Sequence, residues 1–208
     1  YAKSPKADRP LIMCEYSHAM GNSNGTLAEY WEVIESTRGL QGGFIWEMWD
    51  HGPVQTMSDG SKRNAYGGDY GETKHDGNFC CDGMVFPDRT AKPAMHEFKA
   101  IAAPIVITGV KPASGQFKIF NKNFFKDLSE YQLQWSITCD GVIQDGGVVK
   151  LPKVAPRKSS NFKVTSKKIA KGTTRGERFI TFSLVCIATT PWALPMTEIA
   201  WSQIALPS

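Results

Sequence analysis

Arg9-Pro-Leu-Ile-Met-Cys-Glu-Tyr-Ser-His-Ala-Met-Gly-Asn-Ser23 decides how this chain is read. Leu11 to Cys14 form a continuous apolar run, the pattern of a strand covered on both faces in a parallel sheet. The run delivers Glu15 into a loop of small and polar residues that also holds His18. A buried strand ending in an acid is how a barrel enzyme presents a nucleophile. Glu15 therefore reads either as such a nucleophile or as one partner of a structural ion pair.

Outward from this stretch, Asn22, Ser23 and Asn24 offer N-caps for a helix whose apolar positions Leu27, Tyr30, Trp31 and Ile34 recur at helical spacing and which Gly39 stops. Leu40 to Asp50 reads as a second buried strand, again ending in acids and aromatics. Strand, helix, strand is a βαβ crossover, which sets the two strands parallel with their carboxyl ends side by side. Residues 52 to 89 are Gly-rich with little periodicity, yet Tyr66, Tyr70, Phe79 and Phe86 argue for an ordered loop. Pro93 then opens a short helix over 94 to 102.

Beyond that helix the period changes. Tyr131, Leu133, Trp135 and Ile137 alternate with polar neighbours, as do Ile180, Phe182, Leu184 and Cys186, the mark of half-buried antiparallel strands. With 105–110, 117–120, 142–151, 162–164 and 197–206, about seven strands are predicted, which fits a β-sandwich.

Composition supports the same division. Residues 1–103 carry 10 basic and 14 acidic side chains, whereas residues 104–208 carry 14 and 6. All four His fall in the first part, so the boundary is placed at 103/104 and chemistry is sought before it. The basic run from Lys150 to Arg178 lacks a nucleic-acid-binding motif and reads as a solvated face, which argues against a nucleic-acid partner. No stretch approaches the ~20 apolar residues of a membrane span, and the first residues do not resemble a signal peptide. Opening on Tyr1 close before a strand, and ending on Ser208 just after one, the chain looks cut from a longer protein. The five Cys show no zinc spacing, and reduced thiols favour the cytoplasm, with a periplasmic or secreted parent left open. A Cys139–Cys186 bridge remains possible, although Trp135 precedes both and breaks the immunoglobulin order.

A retaining glycosidase needs two carboxyl groups about 5 to 5.5 Å apart, one to attack the anomeric carbon and one to protonate the leaving oxygen. Glu15 suits the first role; Glu47, Asp50 and Glu72 are candidates for the second, each equally readable as structural. Trp46 and Trp49 bracket the second strand's end, as a sugar-stacking platform or as core. His18 is either a ligand contact or a loop tie. Asp82, before Gly83, is either a ligand of a hard cation or a turn residue.

Leu11-Ile-Met-Cys-Glu-Tyr-Ser-His-Ala-Met-Gly-Asn-Ser23 followed by Leu40-Gln-Gly-Gly-Phe-Ile-Trp46, Tyr66-Gly-Gly-Asp-Tyr-Gly71 and Asp76-Gly-Asn-Phe-Cys-Cys-Asp-Gly-Met-Val-Phe-Pro-Asp-Arg-Thr90 resembles the large β-galactosidases of glycoside hydrolase family 2. The resemblance covers residues 9 to about 101 and, more weakly, the second half. It implies a multidomain α/β plus all-β chain: the C-terminal part of a (β/α)8 TIM barrel over 1–103, with strands seven and eight, then an immunoglobulin-like β-sandwich over 104–208. It implies Glu15 as nucleophile of a retaining β-galactosidase, with His18 and Trp46 contacting galactose. Phe79, through its carbonyl, and Asp82 correspond to a sodium and galactose 6-hydroxyl site, where the best-known form has Asn in place of Asp82. The general acid/base and the Mg2+ ligands belong to segments outside this chain. The isolated chain is then expected to be inactive, its partners being a galactoside such as lactose, the rest of the parent polypeptide and further copies in a homo-oligomer. A non-catalytic galactose-binding module and a purely structural module are the competing expectations.

Overall fold

Leu11–Tyr16 (β1) and Leu40–Ile45 (β2) pair in parallel and are joined by the helix Leu27–Ser36 (α1), the crossover expected from the sequence. The computed structural model describes residues 1 to 170 and 176 to 207, in two units, Tyr1–Ile101 and Ala102–Ser208. In the first unit, α1 buries Leu27 and Ile34. Its Trp31 donates from Nε1 to Tyr16 Oη at 3.0 Å, tying the helix to the end of β1. Trp31 also meets Phe98 of the helix Pro93–Ile101 (α2), ring centroids 6.4 Å apart.

Four local expectations are corrected. The second strand stops at Ile45 rather than reaching Asp50, because from Glu47 onward the chain bonds to residues 80–85 instead of to β1. The polar residues before α1 do not cap it: Thr26 occupies the N-cap without a side-chain bond, while Asn24 donates to the Ser17 carbonyl and Ser23 Oγ reaches the His18 and Met20 carbonyls. The 52–89 segment contains a short antiparallel hairpin, Val54–Thr56 (β3) with Lys62–Asn64 (β4), too brief to leave a period in the sequence. Nor is β1 covered on both faces within this chain; Ile12 on β1 and Phe44 on β2 are 55% and 66% exposed, since α1 packs on one side only.

The register of β1 on β2 is broken twice. Between Leu11↔Leu40 and Met13↔Gly43, Ile12 stands against both Gln41 and Gly42; between Met13↔Gly43 and Tyr16↔Ile45, Cys14 and Glu15 stand against Phe44 alone. Each break is a β-bulge, a device that re-aims side chains beside sites. A Cβ on Gly43 would lie 2.8 Å from Met13 Cβ and 3.0 Å from Tyr16 Cδ1. Met13 and Tyr16 thus crowd one face, and Glu15, on the bulge, is exposed.

Among the described residues, the second unit has seven antiparallel strands in two sheets. Ile105–Lys111 (β5), Gln116–Asn121 (β6) and Ser159–Lys163 (β9) form one, in the order β5-β6-β9. Tyr131–Cys139 (β7), Val142–Val149 (β8), Arg178–Cys186 (β10) and Glu198–Leu206 (β11) form the other, in the order β11-β10-β7-β8. Inward residues of both sheets make one core, with Phe117, Phe162 and Phe182 in mutual contact at 4.9 to 5.7 Å between ring centroids. The β7–β8 hairpin turns on Asp140-Gly141, both at positive φ, as a tight hairpin turn requires.

Two expectations for this unit change. Cys139 and Cys186 form no disulfide: Cys139 faces Arg178 at one end of the β7–β10 pair and Cys186 faces Tyr131 at the other. The length of β10 separates them by roughly 27 Å at ~3.4 Å per residue, far beyond the ~7 Å Cα limit of a bridge. The basic run is solvated at Lys150, Lys153, Arg157 and Lys163, but Arg178 is buried, its guanidinium donating to the carbonyls of Lys168, Ala170 and Pro207. Residues 171 to 175 of that run lie outside the described residues.

Candidate active site

The loop after β1 and the segment after β2 are laced by backbone bonds. Trp46 N donates to the Tyr16 carbonyl at 3.1 Å and Ala19 N to the Trp46 carbonyl at 2.7 Å. The chain beyond Trp46 then runs along residues 80–85: Glu47 N donates to the Asp82 carbonyl at 2.9 Å, Met84 N to the Glu47 carbonyl at 2.8 Å, and His51 N to the Cys80 carbonyl at 2.8 Å. Gly83 permits this approach, because a Cβ there would collide with Trp49 and Asp50 backbone atoms. The buried Asp50 carboxylate locks the same junction, accepting from Gly83 N at 2.7 Å and from Lys92 Nζ at 2.8 Å.

This lacing brings four sequence-designated residues together. Trp46 Nε1 donates to Asp82 Oδ2 at 3.0 Å, and His18 Nε2 lies 3.5 Å from the same oxygen. The His18 ring stacks on Phe79 at 5.6 Å between centroids. Asp82 is buried while Trp46, His18 and Phe79 remain accessible, so the cluster has a closed polar base and an open aromatic rim. Such a combination suits a sugar, whose ring carries an apolar face and a hydroxyl edge. Glu15, on the β1 bulge, immediately precedes the Tyr16 that Trp46 bonds.

Asp82 Oδ1 is buried and accepts no hydrogen bond. A buried carboxylate oxygen without a donor is costly unless a cation or a proton meets it. Among the described residues no group of three or more His, Cys, Asp and Glu gathers into a metal site, so a cation here would be a hard one bound through carboxylate and carbonyl oxygens. The orphaned oxygen fits that requirement.

The remaining acids separate by environment. Burial, then the neighbouring Asp82 carboxyl, raises the pKa of Glu47, against the opposing pull of His51 3.3 Å away. Glu72 is exposed, accepts from Gly68 N at 2.7 Å and Tyr70 N at 3.0 Å, and is held below its usual range by bonds from its own backbone and from Gly68. Those bonds brace the loop over residues 68–72. Asp50 is committed to Lys92 and to Gly83 N. Trp49 is not part of the rim: Nε1 donates to the Pro87 carbonyl at 3.1 Å and Arg89 lies 4.6 Å over its ring. His51 and Lys92 were not anticipated; only tertiary folding brings them to Glu47 and Asp50.

The raised Glu47 carboxyl gives a testable pH effect. A group whose folded pKa exceeds its unfolded one stabilises the fold at low pH, and that stability is lost as pH climbs from the ordinary value of 4.5 through the raised one. Glu47→Gln, neutral throughout and able to donate to Asp82, is expected to melt increasingly above wild type as pH rises across this window. A melting difference that is flat with pH would remove Glu47 from the pair.

Comparison with known proteins assigns the family. The family model described as glycosyl hydrolases family 2, TIM barrel domain, matches residues 1–107. The chain belongs to glycosyl hydrolase family 2. Residues 117–207 match beta-galactosidase, domain 4, so both units fall in the same family. The beta-galactosidase of Priestia megaterium is 39% identical over 200 residues, covering 96% of this chain and 19% of that protein. That of Aeromonas hydrophila is 37% identical over 206 residues, 98% and 20% of the two chains. That of Photobacterium profundum reaches 42% over 145 residues, 68% of this chain and 14% of that one. The chain thus spans about a fifth of the length of the first two of these family 2 relatives. No helix among the described residues is long and apolar enough to cross a membrane.

Proposed function

We propose that this chain supplies the nucleophile and the galactose-binding end of a retaining β-galactosidase acting on terminal β-galactosides such as lactose. The observation that carries the reading is the convergence of His18, Trp46, Phe79 and Asp82 beside the β1 bulge that exposes Glu15. Family membership supports it. Glu15 attacks the anomeric carbon as the glycosidic C–O bond breaks, and the leaving oxygen takes a proton from a second carboxyl group. Water, deprotonated by that same group, then releases galactose and frees Glu15. Trp46 offers its exposed ring to the apolar face of the sugar, while Asp82 and His18 face its hydroxyls. Na+, when bound, supplies a fixed positive charge that orients a hydroxyl and offsets the Asp82 carboxylate.

Since Asp50 and Glu72 are engaged in the fold and Glu47 is engaged with Asp82 and His51, we assign the acid/base role, and the Mg2+ ligands, to other parts of the parent. Two parallel strands are a quarter of an eight-stranded barrel. In this reading the first unit completes a TIM barrel, the second is an immunoglobulin-like sandwich, and five cysteines outside any disulfide favour a reducing compartment.

The test is to assay the chain alone and within its full-length polypeptide on a nitrophenyl β-galactoside, following the first-formed anomer by NMR. Turnover only in the full-length form, with β-galactose released first, is expected. Release of α-galactose first would reject a covalent role for Glu15. Calorimetric binding of galactose by the chain alone, with no turnover in the full-length form, would favour the non-catalytic binding module.

A further inference from the structure

Lys92 immediately precedes α2, and only 9% of its side chain is exposed. Its Nζ lies 2.8 Å from Asp50 Oδ1, the same oxygen that accepts from Gly83 N at 2.7 Å. The backbone holds both partners in place: Asp50 N donates to the Val85 carbonyl and Lys92 N to the Met84 carbonyl, each at 3.0 Å, while Val85 bridges to Trp49 and to Ala91. The Lys92 ammonium also sits over the Phe86 ring, 5.2 Å from its centroid. What this pair grips is the peptide between Asp82 and Gly83. That peptide's carbonyl accepts from Glu47 N at 2.9 Å and its N–H donates to Asp50, so the segment after β2 fixes it at both ends. A planar peptide held at oxygen and at nitrogen cannot turn, which sets the direction in which the Asp82 side chain leaves the backbone. That side chain then meets Trp46 and His18.

We propose that Lys92 is a positioning residue for sugar binding: paired with Asp50, it aims the Asp82 carboxylate through the Asp82–Gly83 peptide. The proposal rests on the reading of Asp82 as a sugar contact. The part played by Lys92 is electrostatic. An ionised carboxylate is a stronger acceptor for Gly83 N than a neutral group, but it stays ionised in a buried junction only beside a countercharge. Lys92 supplies that charge. Without it, the Asp50 carboxylate is drawn toward water and lets go of Gly83 N. The peptide is then held at its carbonyl alone, and Asp82 can turn away from Trp46.

In the chain itself, the Trp46 indole N–H is read by heteronuclear NMR and assigned with Trp46→Phe; Trp31, bonded to Tyr16 in the same unit, is the control for folding. Asp82→Ala and Lys92→Met should each shift the Trp46 resonance upfield as its bond is lost, while Trp31 holds. Lys92→Met combined with Asp50→Asn, which buries no charge and keeps an oxygen for Gly83 N, should restore it, and Lys92→Met combined with Asp50→Ala should not. This last comparison decides the matter even where Lys92→Met alone fails to fold. In the full-length polypeptide, Lys92→Met is expected to raise KM for a nitrophenyl β-galactoside about tenfold, the effect of losing one charged hydrogen bond, with kcat changing less. Asp82→Ala should raise KM as well and leave little further effect for Lys92→Met, because the two act on one contact. A Trp46 resonance unmoved in a folded Lys92→Met, or the same in both double variants, would overturn the proposal, as would additive effects on KM. A shifted resonance with KM unmoved by Asp82→Ala would instead reject Asp82 as a sugar contact, and with it the role of Lys92 in binding.

Discussion

Full-length polypeptide carrying Glu15→Gln is expected to lose at least ~10³-fold in kcat on a nitrophenyl β-galactoside, because a nucleophile that cannot form the covalent intermediate leaves only binding and polarisation to lower the barrier. The amide keeps the size and polarity of the carboxyl but cannot attack the anomeric carbon. KM should move far less than kcat, since the ring contacts assigned to Trp46, His18 and Asp82 are untouched. Stability should hold as well: Glu15 is exposed on its bulge, and substitutions at such positions stay within about 0.5 kcal/mol. A small external nucleophile adds a second readout. Azide supplied to Glu15→Gly should restore turnover and yield the inverted α-galactosyl azide, because it attacks from the vacated face. Retained wild-type kcat in Glu15→Gln, or a β-azide from Glu15→Gly, would reject the assignment.

How far the site was legible follows from what each residue needs. Glu15 and Trp46 lie at or just beyond the ends of apolar runs, and His18 follows three residues on; the crossover rule makes those ends neighbours before any coordinates are consulted. Phe79 and Asp82 were harder, since in sequence they are an aromatic and a turn-like Asp-Gly; the resemblance to family 2 singled them out. The bond from Trp46 Nε1 to Asp82 and the orphaned Asp82 Oδ1 express tertiary lacing that no local pattern encodes. The bulges on β1 and β2 are invisible for the same reason. They are differences in register between two strands, and a single run of apolar letters carries no register. The missed N-cap shows local propensity losing to packing, with Asn24 and Ser23 drawn back to brace the loop that carries His18.

The second unit was more legible because period two survives wherever one face of a strand is buried. Residues 131–139 and 178–186 alternate in burial as they alternate in sequence, and the seven strands fall close to their expected places. What failed there were statements about single side chains. Arg178 sits at the start of β10 on the inward face, so its charge is buried among three carbonyls instead of joining the solvated basic surface. The cysteine pair failed on direction: antiparallel strands carry the two thiols to opposite ends.

That same alternation locates the largest stability effect. Phe182, in mid-β10, is fully buried and meets Phe117 edge-on at 4.9 Å and Phe162 at 5.5 Å, so it joins the two sheets. Phe182→Ala removes a ring from between two others that are themselves held by β6 and β9, which limits how far the gap can close. The loss expected is about 3 to 5 kcal/mol. A domain of this size is stable by only ~5 to 15 kcal/mol, so the variant's second unit should stand near its unfolding midpoint in low urea. Amide hydrogen exchange along β7 and β10 reads this directly, as both strands lie within the sheet and should otherwise exchange only on global opening. Phe125→Ala, which removes an equally large ring that is 96% exposed, should leave exchange unchanged to within about 0.5 kcal/mol. Similar losses from the two variants would mean that the sheets are not held by this ring cluster, and that the buried aromatic contact contributes no more than surface area elsewhere.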